Sequence, residues 1–201
     1  GTPTTAPTTG APTGAPTPTK ADCNCDASGN CKIDLASTGL VSSEVKAVLD
    51  ASLKFCQNKY QAGSLPLPAI ITDLDMHDNK LTTLPQDLFG KIDGSNFRLT
   101  KSLKLSENSL ISLPDGVFDT LTDLSETLRL EKNVLTSLPV NVFEKLTQLQ
   151  YTLSLDNNQL ASLPDRVFDS LTRLDDILSL SDNTLTSLPP QVFQSFTRLI
   201  N

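Results

Sequence analysis

The chain has 201 residues with 16 basic and 23 acidic side chains, a net charge of −7 and a pI near 4.6. That balance lacks the basic footprint that nucleic acids and anionic membranes require, so neither is an expected partner. No apolar run approaches the ~20 residues that span a bilayer, so no membrane span is expected. No charged-then-apolar leader opens the sequence either, so a secreted chain is expected to be in its mature form.

Residues 1–20, GTPTTAPTTGAPTGAPTPTK, contain eight Thr and five Pro and no bulky apolar side chain. They cannot build a core. Proline biases such a segment toward extended polyproline II, and the composition is that of O-glycosylated, mucin-like stalks. The chain has no N-x-S/T sequon, so covalent sugar is expected O-linked on Thr2, Thr4, Thr5, Thr8, Thr9, Thr13, Thr17 and Thr19. Extended at ~3.1 Å per residue, the arm would reach about 60 Å. A flexible linker is the plain alternative.

Residues 21–67 read as an N-terminal cap. All four cysteines, Cys23, Cys25, Cys31 and Cys56, fall here, before any repeat. An even set confined to a short segment reads as two disulfides formed in an oxidising compartment. Zinc is the competing reading, but no histidine is near and the C-x-C-x5-C-x24-C spacing lacks paired C-x2-C knuckles. Among the connectivities, Cys23–Cys25 is disfavoured by its tight loop; the expectation is Cys23–Cys31 with Cys25–Cys56. Ser42 or Ser43 is placed to cap a helix, with Glu44 in its first turn. Val45, Val48, Leu49, Leu53 and Cys56 then recur at helical spacing, a stripe able to cover the first coil of the repeats. Gly63 and the Pro66/Pro68 pair end that helix.

Residues 68–201 repeat a skeleton, L-x-L-x-x-N-x-L-x-x-L-P-x-x-x-F, from Leu74 to Phe89, Leu103 to Phe118, Leu128 to Phe143, Leu153 to Phe168 and Leu178 to Phe193. Its asparagines, Asn79, Asn108, Asn133, Asn158 and Asn183, are 29, 25, 25 and 25 residues apart. Such a period marks a solenoid in which no single repeat buries its own apolar face. The paired leucines point inward from a short strand. The asparagine amide is suited to backbone groups otherwise orphaned inside the stack. Leu-Pro marks a bend, and Phe118, Phe143, Phe168 and Phe193 fill the opposite side. The first spacer carries a four-residue insertion between Ile92 and Leu99, expected to bulge with Phe97 folded back onto the core.

These repeats resemble the extracellular leucine-rich-repeat family, and S-L-P-D-G-V-F-D-T-L-T-D-L at residues 112–124 is especially similar to the repeats of variable lymphocyte receptors. The resemblance covers about residues 70–201. It implies an α/β leucine-rich-repeat solenoid with a parallel sheet on the concave face, where ligands usually bind. To it the residues add a disulfide-bearing helical N-terminal cap and an extended N-terminal Thr/Pro arm. Family members generally end in a cysteine-containing C-terminal cap, whereas the last cysteine here is Cys56. The repeat is also one residue longer than the receptor-type unit.

The concave face is expected to present Asp73, Asp75 and His77 beside Lys104, Arg129, Glu131 and Asp156, with many Ser and Thr. Protein-binding hot spots favour Trp, Tyr and Arg, and only Arg129 qualifies. Asp73, Asp75 and His77 share one strand face, yet Ca²⁺ wants six or more oxygens, and Lys104 is the better partner for Asp75. Neither a nucleophile–base pair nor a phosphate cradle can be assembled, so no enzyme activity, cofactor or metal is expected.

The functional expectation is a structural protomer of an extracellular or cell-surface fibril. The last coil offers Leu178, Leu180, Leu185, Leu188, Val192 and Phe193 as an apolar end, which the cap of a second copy would cover. Such a head-to-tail contact propagates into a filament, with the arm as tether. The alternative is a secreted or surface recognition module that binds a protein or glycan on the concave face.

Overall fold

A computed structural model of the chain describes residues 22–26, 28–61, 70–92, 95–96 and 98–199. The eight arm threonines, the Gly63/Pro66/Pro68 helix stop and Phe97 lie outside the described residues.

Two short strands, β1 (Asp22–Cys25) and β2 (Asn30–Asp34), form an antiparallel hairpin. Its turn is held by Asp26, whose Oδ1 accepts hydrogen bonds from the Ser28 and Asn30 amides at 2.8 and 3.0 Å. Gly29 supplies the positive φ of 81° that the turn needs. Helix α1 (Val45–Gln61) comes next. The repeats then supply β3 (Ile70–Asp75), a two-residue hairpin of β4 (Lys91–Ile92) and β5 (Ser95–Asn96), then β6 (Leu99–Lys104), β7 (Thr127–Arg129), β8 (Thr152–Ser154) and β9 (Ile177–Ser179). The spacer insertion is thus the source of the β4–β5 hairpin.

One seven-stranded sheet runs β1-β2-β3-β6-β7-β8-β9, parallel from β2 onward. Its register stacks like on like: Leu74, Leu103, Leu128, Leu153 and Leu178 form one column. The first four of these, Leu74, Leu103, Leu128 and Leu153, are buried completely, each worth ~1.5–3 kcal/mol relative to exposure. Opposite the sheet, Phe89, Phe118, Phe143, Phe168 and Phe193 stack at centroid distances of 6.1, 6.5, 6.1 and 6.4 Å.

Between these columns runs a ladder of asparagines. Asn133 Nδ2 donates to the Leu105 carbonyl of the previous coil at 3.0 Å and to Leu130 of its own at 3.1 Å, while Oδ1 accepts from Leu110 N at 2.9 Å. Asn108, Asn158 and Asn183 repeat this pattern. The residue before each asparagine has a positive φ between 51° and 55°, at Asp78, Glu107, Lys132, Asn157 and Asp182.

The cap contains a further coil that the sequence reading did not isolate. Ser37 has a φ of 53°, matching those five positions. Leu35 N and Ser37 N donate to Asp75 O and His77 O, as Met76 N and Asp78 N do to Lys104 O and Ser106 O one coil later. Thr38 stands in the asparagine's place. Its Oγ1 donates to Leu35 O at 2.9 Å.

Two expectations for the cap are corrected. The disulfides are Cys23–Cys56 and Cys25–Cys31, not Cys23–Cys31 with Cys25–Cys56. The hairpin sets Cys25 and Cys31 directly opposite each other, and α1, packed on β1, brings Cys56 to Cys23 with Cα atoms 5.6 Å apart. Nor is Ser42 the helix cap: its Oγ accepts from the Thr82 and Thr83 amides at 2.8 and 2.9 Å, tying the cap to the first repeat. Glu44 precedes the first residue of α1. The stripe Val45, Val48, Leu49, Leu53 and Cys56 is buried throughout.

Candidate functional site

The β-strand register builds the concave face. Asp75, Lys104, Arg129, Ser154 and Ser179 form its central column, flanked by the column of Asp73, Ser102, Thr127, Thr152 and Ile177. Among the serines and threonines expected on this face, Ser102, Ser106, Thr152 and Ser154 are buried. Side chains on the inner side of a bend crowd one another, and Thr127 Oγ1 accordingly donates to Ser102 Oγ at 3.0 Å.

The charged residues collect at the N-terminal end of that face. Asp75 bridges His77 Nδ1 at 2.6 Å and Lys104 Nζ at 2.7 Å, one carboxylate oxygen to each. Burial alone would raise the Asp75 pKa; hydrogen bonds from Lys104 and His77, with the lysine's charge, outweigh it and hold the carboxyl below its ordinary value. Asp73 Oδ2 lies 3.3 Å from Lys32 Nζ, an ion pair without hydrogen-bond geometry. Asp75 and His77 are thus in direct contact, and Asp73 and Asp75 each face a lysine. Beside them an open, polar cleft of about 340 Å³ is lined by Asn24, Cys25, Asp26, Lys32, Asp73 and Lys101, where the cap meets the sheet. Sequence reading missed this cleft, because its walls come from separate stretches of the chain spread between Asn24 and Glu126.

Further along, Arg129 Nη1 sits 3.4 Å from Glu131 Oε1. Glu131 Oε2 is buried with no hydrogen-bond partner among the described residues. Asp156 Oδ2 accepts from Asn157 Nδ2 at 2.9 Å, one coil on and separate from the Asp75 cluster.

The other candidate surface is the fifth coil. Leu153, Leu155, Leu160 and Phe168 of coil four are fully buried, whereas Leu178, Leu180 and Leu185 are only partly so, and Leu188 and Phe193 are 48% and 42% exposed. Val192 differs from its neighbours. It is 3% exposed, tucked inward like Val167, and belongs to the core rather than to the apolar surface.

A stack of coils with leucine, asparagine and phenylalanine columns is a solenoid, each coil contacting only its neighbours. Residues 151–200 match the family described as Leucine rich repeat; the fold is a leucine-rich-repeat solenoid, its five repeat strands joined by four turns. No curated protein matches the chain. Among solved structures, YopM from Yersinia enterocolitica WA-314 is similar, at 27% sequence identity and a TM-score of 0.46 over 80% of this chain and 27% of that one. The chain therefore spans only about a quarter of that structure's length. Among the described residues no helix is long and apolar enough to cross a membrane, and the two disulfides are compatible with an extracellular protein.

Proposed function

We propose that the chain is a non-enzymatic extracellular protein-interaction module whose partner is a second copy, stacked head-to-tail as the protomer of a fibril. The observation that carries this reading is the abrupt rise in exposure at coil five. Leu178, Leu180, Leu185, Leu188 and Phe193 repeat, in the same geometry, the face that each earlier coil buries against the next. An apolar face of that pattern is covered by more of the same chain or by another molecule. The strand edges at the two ends of the sheet, β1 and β9, give a second copy backbone groups to pair with. The O-glycosylated Thr/Pro arm then runs along neighbouring subunits as a tether. The two disulfides support an extracellular setting.

Sedimentation and electron microscopy of the chain and of its Leu185→Asp and Phe193→Asp variants test the reading. Filaments from the parent and monomers from both variants, with unchanged circular dichroism, are the expected result. A parent that stays near 22 kDa at every concentration refutes self-stacking.

A second reading, recognition on the concave face, is favoured by one observation. Glu131 Oε2 is an acceptor without a donor, beside Arg129, the single hot-spot residue type on that face. A partner's donor would satisfy it. Glu131→Gln discriminates: it weakens capture of a ligand on the sheet and leaves fibril growth untouched.

A further inference from the structure

The polar cleft where the cap meets the sheet carries charges of both signs, and each is already engaged. Asp73 faces Lys32 at 3.3 Å, and Lys101 pairs with Glu126 at 3.1 Å. The Asp26 carboxylate is taken up by its own turn, accepting from Asn30 Nδ2 at 2.9 Å as well as from two amides. An inorganic anion entering the cleft would meet these carboxylates, and a bare cation would find none of them free. Among the described residues no group of three or more carboxylates lies close enough together to hold a metal ion. Such a lining suits a neutral molecule rich in hydroxyls, each of which both donates and accepts.

An aromatic ring stands one coil beyond the cleft. Glu126 N donates to Lys101 O at 2.9 Å and Tyr151 N to Glu126 O at 3.0 Å, so Lys101, Glu126 and Tyr151 are successive rungs along one edge of the sheet. Tyr151 is 44% exposed, a large amphipathic side chain left open to solvent. The Lys101 ammonium is held above its ordinary pKa first by its hydrogen bond to Glu126, and the Tyr151 phenol adds to the effect, so the phenol lies within electrostatic reach of the cleft.

We propose that the cleft and the Tyr151 ring together form a saccharide-binding site, which takes the terminal sugar of a neutral glycan. The C–H groups of a sugar ring carry slight positive charge and pack on the face of an aromatic ring, where its quadrupole is negative. The sugar's hydroxyls fall to the exposed Asn24 amide and to the lysine and carboxylate groups of the walls. The volume, about 340 Å³, is at the small end of the ~300–1,000 Å³ of small-molecule sites, and the open mouth leaves room for the rest of the glycan. Both walls are fixed beforehand. The Cys25–Cys31 disulfide and the Asp26 turn hold the hairpin, and strand pairing holds the other side, so binding orders little. Two sources offer this chemistry: the sugars expected on the Thr/Pro arm, and a glycan on another molecule. The inference does not rest on the proposed fibril, nor on Arg129 and Glu131.

The test uses the full chain, oxidised and free of sugar, titrated with the methyl glycosides of glucose, galactose, mannose and N-acetylglucosamine while NMR follows its amide and tyrosine resonances. The proposal expects saturable shifts from at least one glycoside, confined to the β1–β2 hairpin, Lys101, Glu126 and Tyr151. Tyr151→Ala should weaken binding about tenfold, whereas Tyr151→Phe, which keeps the ring face, should stay within about threefold of the parent. Inorganic phosphate and Ca²⁺ should leave the cleft resonances unmoved. In the naturally glycosylated chain, cleft resonances already at their bound positions identify the arm as the source; resonances at their free positions that still respond to glycoside identify a separate glycan. Each of these supports the site. Absence of saturable shifts from every glycoside overturns it, as does binding unchanged by Tyr151→Ala, or phosphate or Ca²⁺ taking the cleft instead.

Discussion

Thr38 occupies, one coil earlier, the position that Asn79 occupies in the first repeat, and both bind the same carbonyl. Leu35 O accepts Thr38 Oγ1 and Asn79 Nδ2, each at 2.9 Å. Asn79 Oδ1 in turn accepts from Leu40 N at 2.8 Å. The cap is therefore a coil of the solenoid in its own right, closed on its outer side by β1 and α1. Thr38→Val removes the hydroxyl but keeps the shape. It should lower stability by only about 1 kcal/mol, because Asn79 still serves the carbonyl; urea unfolding measures the loss.

The same ladder is far less forgiving at its centre. Asn133 is 5% exposed and serves Leu105 O, Leu130 O and Leu110 N at once. Asn133→Ala strands a buried N–H, at a cost of ~1–3 kcal/mol, and weakens two carbonyls further. A total of about 3 kcal/mol is expected, several times the Thr38→Val effect. Equal urea midpoints for the two variants would contradict the ladder's energetic role.

How much of this was readable beforehand depended on repetition. The leucine, asparagine and phenylalanine columns recur at a fixed period, so each copy corroborated the others and the solenoid was legible before any coordinates. The cap's coil was not, because it occurs once and its amide is replaced by a hydroxyl. Its trace was still present. Ile33, Leu35 and Leu40 have the same 2- and 5-residue spacings as Leu74, Met76 and Leu81. Disulfide pairing was illegible for another reason: it is decided by a hairpin register and by a helix docking on it, neither of which cysteine spacing encodes. The charged cluster was partly legible, since Asp75 and Lys104 follow from the strand register. The polar cleft, whose walls are remote in the chain, was not.

The two disulfides should differ in worth. Cys23–Cys56 closes a separation of 33 residues and Cys25–Cys31 one of 6. Chain-entropy arithmetic gives about 3.8 against about 2.4 kcal/mol. Replacing Cys23 and Cys56 with Ser should therefore lower the melting temperature more than replacing Cys25 and Cys31, and should speed hydrogen exchange in α1. The reverse order would show that strain in the hairpin, not chain entropy, decides.

Acid should loosen the first two strands of the solenoid. The Asp75 carboxyl is held below its ordinary 3.8. Its contribution to stability is thus complete above pH 3.8 and is lost as pH falls through the lower folded value. Asp75→Asn removes the titrating group, so its stability should fall less steeply than the parent's on acidification below about pH 4. Denaturant midpoints collected across that range check it; parallel curves would exclude Asp75 as a contributor.

At the far end, backbone amides report on what covers coil five. Leu81, Leu110, Leu135 and Leu160 each donate to the asparagine of the next coil at 2.9 to 3.0 Å. Leu185 holds the equivalent place. In dilute monomer its amide should exchange far faster than that of Leu160, and assembly should protect it. Phe193→Asp should abolish the protection without touching Leu160. Protection of Leu185 at all dilutions would argue against a second copy as its cover.

The aromatic column has a consequence for the shape of any longer array. Rings repeat every 6.1 to 6.5 Å, while hydrogen-bonded strands repeat every ~4.8 Å. Taking the two layers as about 10 Å apart, the mismatch turns the axis by roughly 8–9° per coil. The arc is gentle, so a half-circle would need about twenty coils. Ring thickness thus acts as the radius gauge of the superhelix: trading each phenylalanine for a slimmer side chain would straighten it.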